Sequence, residues 1–257
     1  MTSLTIEPAV GARTTMPESD WFEDWFGEEY LALYEHRDQG EAREVVRLIA
    51  DRVGEVGDVP VLDLACGAGR HQRTLADRAW WAVGLDLSPS LLRAARGDDR
   101  TAPLVRADMR ALPFASRTFG LVVNLFTSFG YFRDDAQHLR VISEVARVTR
   151  PAGWFVLDYL HAEHVRRTLV PYDVRTVGSV TVEQERAISR DGRFVSKTIT
   201  LGDLGRTFVE RVRLFEPDEL AALCTSAGFA VEGTYGDYAG APLERTSPRA
   251  IVFARRR

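Results

Sequence analysis

The chain has 257 residues, 45% hydrophobic and 27% charged, which suits one globular α/β domain with an elaboration, or one and a half domains. Its formal net charge of −4 argues against a dedicated nucleic-acid binder, and no apolar run approaches the ~18 residues that a membrane span needs. The N-terminus lacks the basic and apolar regions of a secretory signal, and Cys66 and Cys224 form no CxxC pair, so the expectation is a reduced, cytoplasmic protein.

Residues 1–17 show no periodicity and are expected to form a flexible N-terminus. A helical pattern starts at Ser19, with Phe22, Phe26, Tyr30 and Tyr34 four apart on one face and Trp21 and Trp25 beside them. A second helix fits 40–53, with Val45, Val46, Leu48 and Ile49 as its apolar face. Strand patterns at 59–64, 80–86, 102–106, 119–125 and 153–159 then alternate with helical ones at 69–78, 89–96 and 134–149. That alternation predicts a mostly parallel, doubly wound sheet covered on both faces. Pro89 fits the first turn of its helix, and Pro151 and Gly153 stop the helix before the fifth strand.

The texture changes after about residue 173. Segments 176–189, 193–203 and 206–215 read as three antiparallel strands, separated by Asp191-Gly192 and Gly202-Asp203. A helix over 217–227 ends at Gly228, and strands at 229–235 and 249–254 close the chain. The expected organisation is an α/β binding domain over 18–172 and 216–257 with an N-terminal helical lid, interrupted by an antiparallel β insertion over 173–215.

The chemistry concentrates at Asp63-Leu64-Ala65-Cys66-Gly67-Ala68-Gly69, a strand end with an acid followed by a two-glycine loop. Glycine lets backbone turn sharply and approach a ligand closely. A dinucleotide fingerprint would carry a third glycine where Gln72 stands, and Asp63 would repel a pyrophosphate. An acid there suits a ligand with an ammonium group, while Asp86 at the next strand end suits ribose hydroxyls. Adenosine at one end and ammonium at the other describe S-adenosylmethionine.

The same residues resemble the first two motifs of the class I S-adenosylmethionine-dependent methyltransferases, with Gly84-Leu85-Asp86-Leu87-Ser88 as the second. Ala107-Asp108-Met109-Arg110 is similar to the adenine-contacting segment, and Phe119 to Asn124 to the fourth-strand motif. Arg150-Pro151-Ala152-Gly153 resembles the turn before the fifth strand, and the motifs run in family order over roughly 59–160. The resemblance implies a seven-stranded Rossmann-like sheet and roles for particular residues. Ala65, Gly67 and Gly69 would face the methionine part, Asp63 its amino group, and Asp86 and Leu87 the ribose. Asp108 and the Met109 amide would meet adenine, and the Leu125 backbone would hold the methionine amino group.

Phe126 to Phe132, with the antiparallel addition, resembles the small-molecule type, including amino-sugar N-methyltransferases. There the added strands form either a roof over the acceptor or a subunit contact, so monomer and homodimer both stand. Tyr30, Tyr34, Tyr131 and Tyr238 are candidates for the acceptor pocket, and His71, Tyr34 and Tyr131 for catalysis. His36 with Tyr34 and Arg37 forms a further cluster. Each has a plainer reading: the aromatic row as core, strand-end acids as caps, Cys66 as a small buried residue, His71 as a helix start. His161 and His164 lack a third ligand, so no metal is expected and a solvated or capping role is preferred. The expected reaction is methyl transfer to a nitrogen or oxygen of a small acceptor. A nicotinamide-dependent oxidoreductase and a non-catalytic S-adenosylmethionine-binding module are the alternatives.

Overall fold

The computed structural model describes residues 20–34, 39–97 and 103–257. The flexible-terminus expectation, the His36–Arg37 cluster and the first residue of the third strand pattern lie outside them. Seven strands form one sheet in the order β10-β11-β5-β4-β1-β2-β3. They are β1 (Val61–Leu64), β2 (Ala82–Asp86), β3 (Leu104–Arg106), β4 (Phe119–Asn124), β5 (Thr149–Leu160), β10 (Phe229–Tyr235) and β11 (Arg249–Arg256). The first five pair in parallel, whereas β11 runs antiparallel to both β5 and β10.

Strand alternation sends side chains to two cores. Leu62, Val122, Phe155, Leu157 and Val252 face one; Val61, Leu121, Val123, Val156 and Phe253 face the other. Helices α3 (Gln39–Val53) and α4 (Arg70–Ala76) cover the second core, and α6 (Asp135–Val148) and α8 (Pro217–Ser226) the first. Local signals fix the helix starts. Asp134 caps α6 by accepting from the Gln137 amide at 2.9 Å, and Glu216 with Glu219 forms a capping box for α8. On α5 (Pro89–Arg96) the Ser88 hydroxyl accepts from the Leu91 amide at 3.1 Å. The same hydroxyl donates to the Phe26 carbonyl at 2.5 Å, tying the N-terminal segment to the sheet domain.

Three expectations need correction. The aromatic row does not lie on one helix: α1 (Trp21–Trp25) and α2 (Glu28–Leu33) are separated by Gly27, whose extended backbone restarts the helix. The wall survives the break, with Phe26–Tyr30 and Tyr30–Tyr34 ring centroids 4.9 and 5.0 Å apart and Trp21 bridging Phe22 and Phe26. The antiparallel addition has four strands rather than three: β6 (Tyr172–Val177), β7 (Val180–Ile188), β8 (Phe194–Leu201) and β9 (Arg206–Arg213), in that order. Gly178, at φ +59, turns the chain inside what reads as one strand. A short helix, α7 (Ala162–Thr168), also follows β5; His161 precedes it, buried rather than solvated, with Nδ1 2.8 Å from the Ser247 carbonyl.

The four-stranded sheet roofs the first core. Val182, Ile199, Leu201 and Phe208 join that core, and the Trp25 ring lies 4.6 Å from that of Phe208.

Candidate active site

A cavity of about 1320 Å3 opens at the carboxyl ends of β1, β2 and β4, where a doubly wound sheet binds its ligands. That exceeds the roughly 300–1,000 Å3 of a site for one small molecule, leaving room for two. One side is walled by Ala65, Gly67, Asp86, Leu87, Asp108, Met109 and Leu125; the other by Trp21, Tyr30, Tyr34, Tyr131 and the roof residues Ser196, Lys197 and Glu210.

Strand β1 delivers Asp63, and the next turn bends through Ala65 and Gly67, both in the left-handed region at φ +59 and +56. A Cβ on Gly67 would meet no other residue closer than Leu91 Cδ1 at 4.0 Å, so the missing side chain leaves space at the cavity wall. Gly69, at φ +78, starts α4; a Cβ there would press to 3.0 Å against Ala95 and Arg73, so its role is packing and it is not in the wall.

Asp86 is buried, and both oxygens are anchored: Oδ2 accepts from the Gly67 amide and Oδ1 from the Ser88 amide, each at 2.8 Å. A carboxylate has about four acceptor positions, so two further donors fit, as a ribose diol requires. Burial raises its pKa, against the pull of those amides. Asp63 is 1% exposed and lies beneath the loop rather than in the cavity wall. Its Oδ2 has no hydrogen-bond partner among the described residues. Burial, then the Asp86 charge, push its pKa up to about 7, while the Gln72 amide and Arg70 pull it back. A buried, unsatisfied carboxyl beside a second acid calls for a cation, and a sulfonium ligand with an ammonium group supplies two. The residues present therefore fit S-adenosylmethionine.

Asp108 is grasped by its neighbour: both oxygens receive Arg110 Nε, at 3.1 and 2.9 Å, and Arg110 also reaches Asp20 at 3.3 Å. Burial raises the Asp108 pKa, but the Arg110 bonds outweigh it and hold the carboxyl below its ordinary value. His71 lines the cavity with Nε2 3.3 Å from the Arg70 guanidinium. Tyr131 donates its hydroxyl proton to the Thr127 carbonyl at 2.7 Å. Tyr238 is not in the cavity wall: its hydroxyl donates to Asp158 at 2.8 Å, behind the strand ends. Cys66 is buried, and burial pushes its thiol pKa up, which disables a nucleophile.

The roof adds what the sequence reading missed. Lys197 on β8 stands opposite Glu210 on β9, with Nζ 2.6 Å from Oε2, and donates to the Tyr34 hydroxyl at 2.9 Å. The Trp25 indole donates to Glu210 Oε1 at 2.6 Å. Burial pulls the lysine pKa down, but Glu210 and Tyr34 outweigh it and raise it. The signal was present: Lys197 interrupts the inward row Val195, Ile199, Leu201, as Glu210 interrupts Phe208 and Val212. Neither interruption has meaning until the strand register pairs them.

The comparisons agree with this geometry. Residues 61–153 match a family model described as a methyltransferase domain. These residues carry a methyltransferase domain. It is 29% identical over 255 residues to dTDP-3-amino-3,6-dideoxy-alpha-D-glucopyranose N,N-dimethyltransferase of Streptomyces fradiae, spanning 94% of this chain and 98% of the relative. It is 34% identical to the demethylmenaquinone methyltransferase of Renibacterium salmoninarum, but over only 54% of each chain. Among solved structures, the sugar N-methyltransferase KedS8 from Streptoalloteichus superposes with a TM-score of 0.68 at 26% identity, covering 98% of this chain and 99% of KedS8. Among the described residues no helix is long and apolar enough to cross a membrane, and no cluster of metal-ligating side chains occurs.

Proposed function

We propose that the protein transfers methyl groups from S-adenosylmethionine to the amino nitrogen of a small acceptor, a nucleotide-linked amino sugar of the kind named for its relative. One observation carries the acceptor class. Similarity to the amino-sugar enzyme runs through the N-terminal helices and the roof, whereas the demethylmenaquinone enzymes match about half of the chain or less. That extent supports an acceptor half of the same kind, and not only a common cofactor half.

The bound cofactor supplies an activated methyl on a sulfonium; the protein binds, orients and excludes water. Asp86 accepts from the ribose hydroxyls, and Leu87 packs beside them. Ala65 and Gly67 let backbone approach the methionine part, with Gly69 shaping the loop from below. Asp63 offsets the ammonium charge from beneath, and the Leu125 backbone binds that group. Met109 and Asp108 flank adenine, with the Asp108 carboxylate held in place by the Arg110 amide and guanidinium. Tyr30, Tyr34 and Tyr131 face the acceptor, whose amine attacks as the free base. Its alignment opposite the sulfur is the main catalytic contribution, on the order of 7–11 kcal/mol in favourable cases. His71, held by Arg70, serves as wall rather than base. The β strands of the roof are read as an insertion over 173–215 that shapes the acceptor pocket of a cytoplasmic enzyme.

The test is incubation with methyl-labelled S-adenosylmethionine and dTDP-3-amino-3,6-dideoxyglucose, with mass spectrometry of the product. Gain of one or two methyl masses on the amine is expected. Tight S-adenosylhomocysteine binding with no transfer to any amino sugar would overturn the acceptor class.

A further inference from the structure

Asp158 on β5 is fully buried and outside the cavity wall, yet it gathers donors from four residues. Its Oδ2 accepts from the Phe126 amide at 2.9 Å and the Tyr238 hydroxyl at 2.8 Å. Its Oδ1 accepts from Arg249 Nε at 2.8 Å, and the ion pair closes to 2.7 Å at Nη2. Its main-chain carbonyl accepts from the Thr127 amide at 3.0 Å, and Arg249 also donates to Thr127 Oγ1 at 3.1 Å.

The network converges on a strained pair. Phe126 and Thr127 are consecutive non-glycine residues in the left-handed region, at φ +57 and +61, and both line the cavity. A β-branched residue there is an outlier, and such strain persists only where surroundings over-determine it. A buried ion pair is by itself a poor source of stability, because desolvation cancels much of its attraction. Here it holds a turn whose Thr127 carbonyl receives the Tyr131 hydroxyl at 2.7 Å.

Building on the function proposed above, we infer that Asp158, with Arg249 and Tyr238, is a positioning residue for methyl transfer. It locks the Phe126–Thr127 turn so that Tyr131 commits its single proton to Thr127. Toward the acceptor the phenol oxygen then only accepts, and it receives an N–H of the neutral amine, directing the nitrogen lone pair toward the methyl group. No covalent step is assigned to Asp158.

The experiment measures amino-sugar methylation and S-adenosylhomocysteine affinity for Asp158→Asn, Tyr238→Phe and the double variant Asp158→Asn with Thr127→Gly. Glycine adopts the left-handed conformation without strain, so it supplies the turn that Asp158 otherwise enforces. The expected result for Asp158→Asn is a kcat about tenfold lower, with acceptor KM and S-adenosylhomocysteine affinity within about threefold of wild type. Tyr238→Phe lowers kcat by about threefold, and Thr127→Gly returns the Asp158→Asn kcat to within about threefold of wild type. Unchanged kcat in Asp158→Asn would overturn the proposal. So would a loss that follows unfolding and cofactor affinity and is not rescued by glycine. If Asp158→Asn does not fold, Tyr238→Phe decides alone, and an unchanged kcat there counts against it. If wild type methylates no amino sugar, the function fails separately. Hydrogen exchange of Tyr238→Phe then reads the turn: lost protection confined to 125–131 supports positioning, and unchanged protection refutes it.

Discussion

The Gly67 amide donates to the Asp86 carboxylate at 2.8 Å, joining the loop after β1 to the end of β2. The two nucleoside-binding elements are thus one unit before any ligand arrives. Asp86→Asn replaces an acceptor oxygen with a donor and loses a charge-assisted bond. A cost of about 2 kcal/mol, roughly thirtyfold in affinity, is expected for S-adenosylhomocysteine by calorimetry. An unchanged affinity would dissociate Asp86 from the cofactor.

The Asp63 carboxyl, at about 7, makes binding pH-dependent. A cationic ligand group favours the ionised form, so binding lowers this pKa and releases a proton near neutral pH. Affinity for S-adenosylhomocysteine should therefore rise from pH 6 to pH 8, by up to about tenfold per unit below 7, and level off above. Calorimetry in buffers of different ionisation enthalpy detects the released proton. Asp63→Asn should flatten the pH dependence.

Lys197 and Glu210 line the roof side of the cavity, where the proposed function puts the acceptor. Lys197→Met should raise acceptor KM by about tenfold while leaving S-adenosylhomocysteine affinity unaltered, since the lost bonds to Tyr34 and Glu210 lie away from the nucleoside. Equal losses on both ligands would place the pair in the scaffold instead.

Gly130 sits at φ +90, and a Cβ there would fall 2.1 Å from the Tyr159 hydroxyl. That hydroxyl donates to the Arg213 carbonyl and anchors the roof to β5. Gly130→Ala should cost about 2 kcal/mol or more, from backbone strain and overpacking together. Thermal denaturation should show a Tm lower by roughly 4–8 °C.

The cofactor half was legible because its signals are local. Asp63, Gly67 and Gly69 fall within seven residues, and the strand–helix alternation frames them. The acceptor half was legible only in outline. The turn at Gly178 lacks an Asx–Gly signature, so the strand read over 176–189 runs through it, and most of β6 carries no strand reading. The break at Gly27 leaves no mark in the pattern, because the aromatic spacing of four continues across it. Asp158 meets Tyr238 and Arg249 from 80 and 91 positions away, and no periodicity encodes such a meeting. The loop over 236–248 between the last two strands points to Tyr238 as a pocket residue; burial of its hydroxyl against Asp158 explains why it is not in the cavity wall.

Ser88 shows how one atom restricts the alphabet at a helix start. Its hydroxyl accepts from Leu91 and donates to Phe26 at once. Aspartate, ordinarily a good cap, has no proton to give and would set its charge against the Phe26 carbonyl. Alanine would forfeit both bonds. Threonine alone among the usual hydroxyl substitutes preserves both duties, so this position is a sharper selection filter than its capping role would suggest.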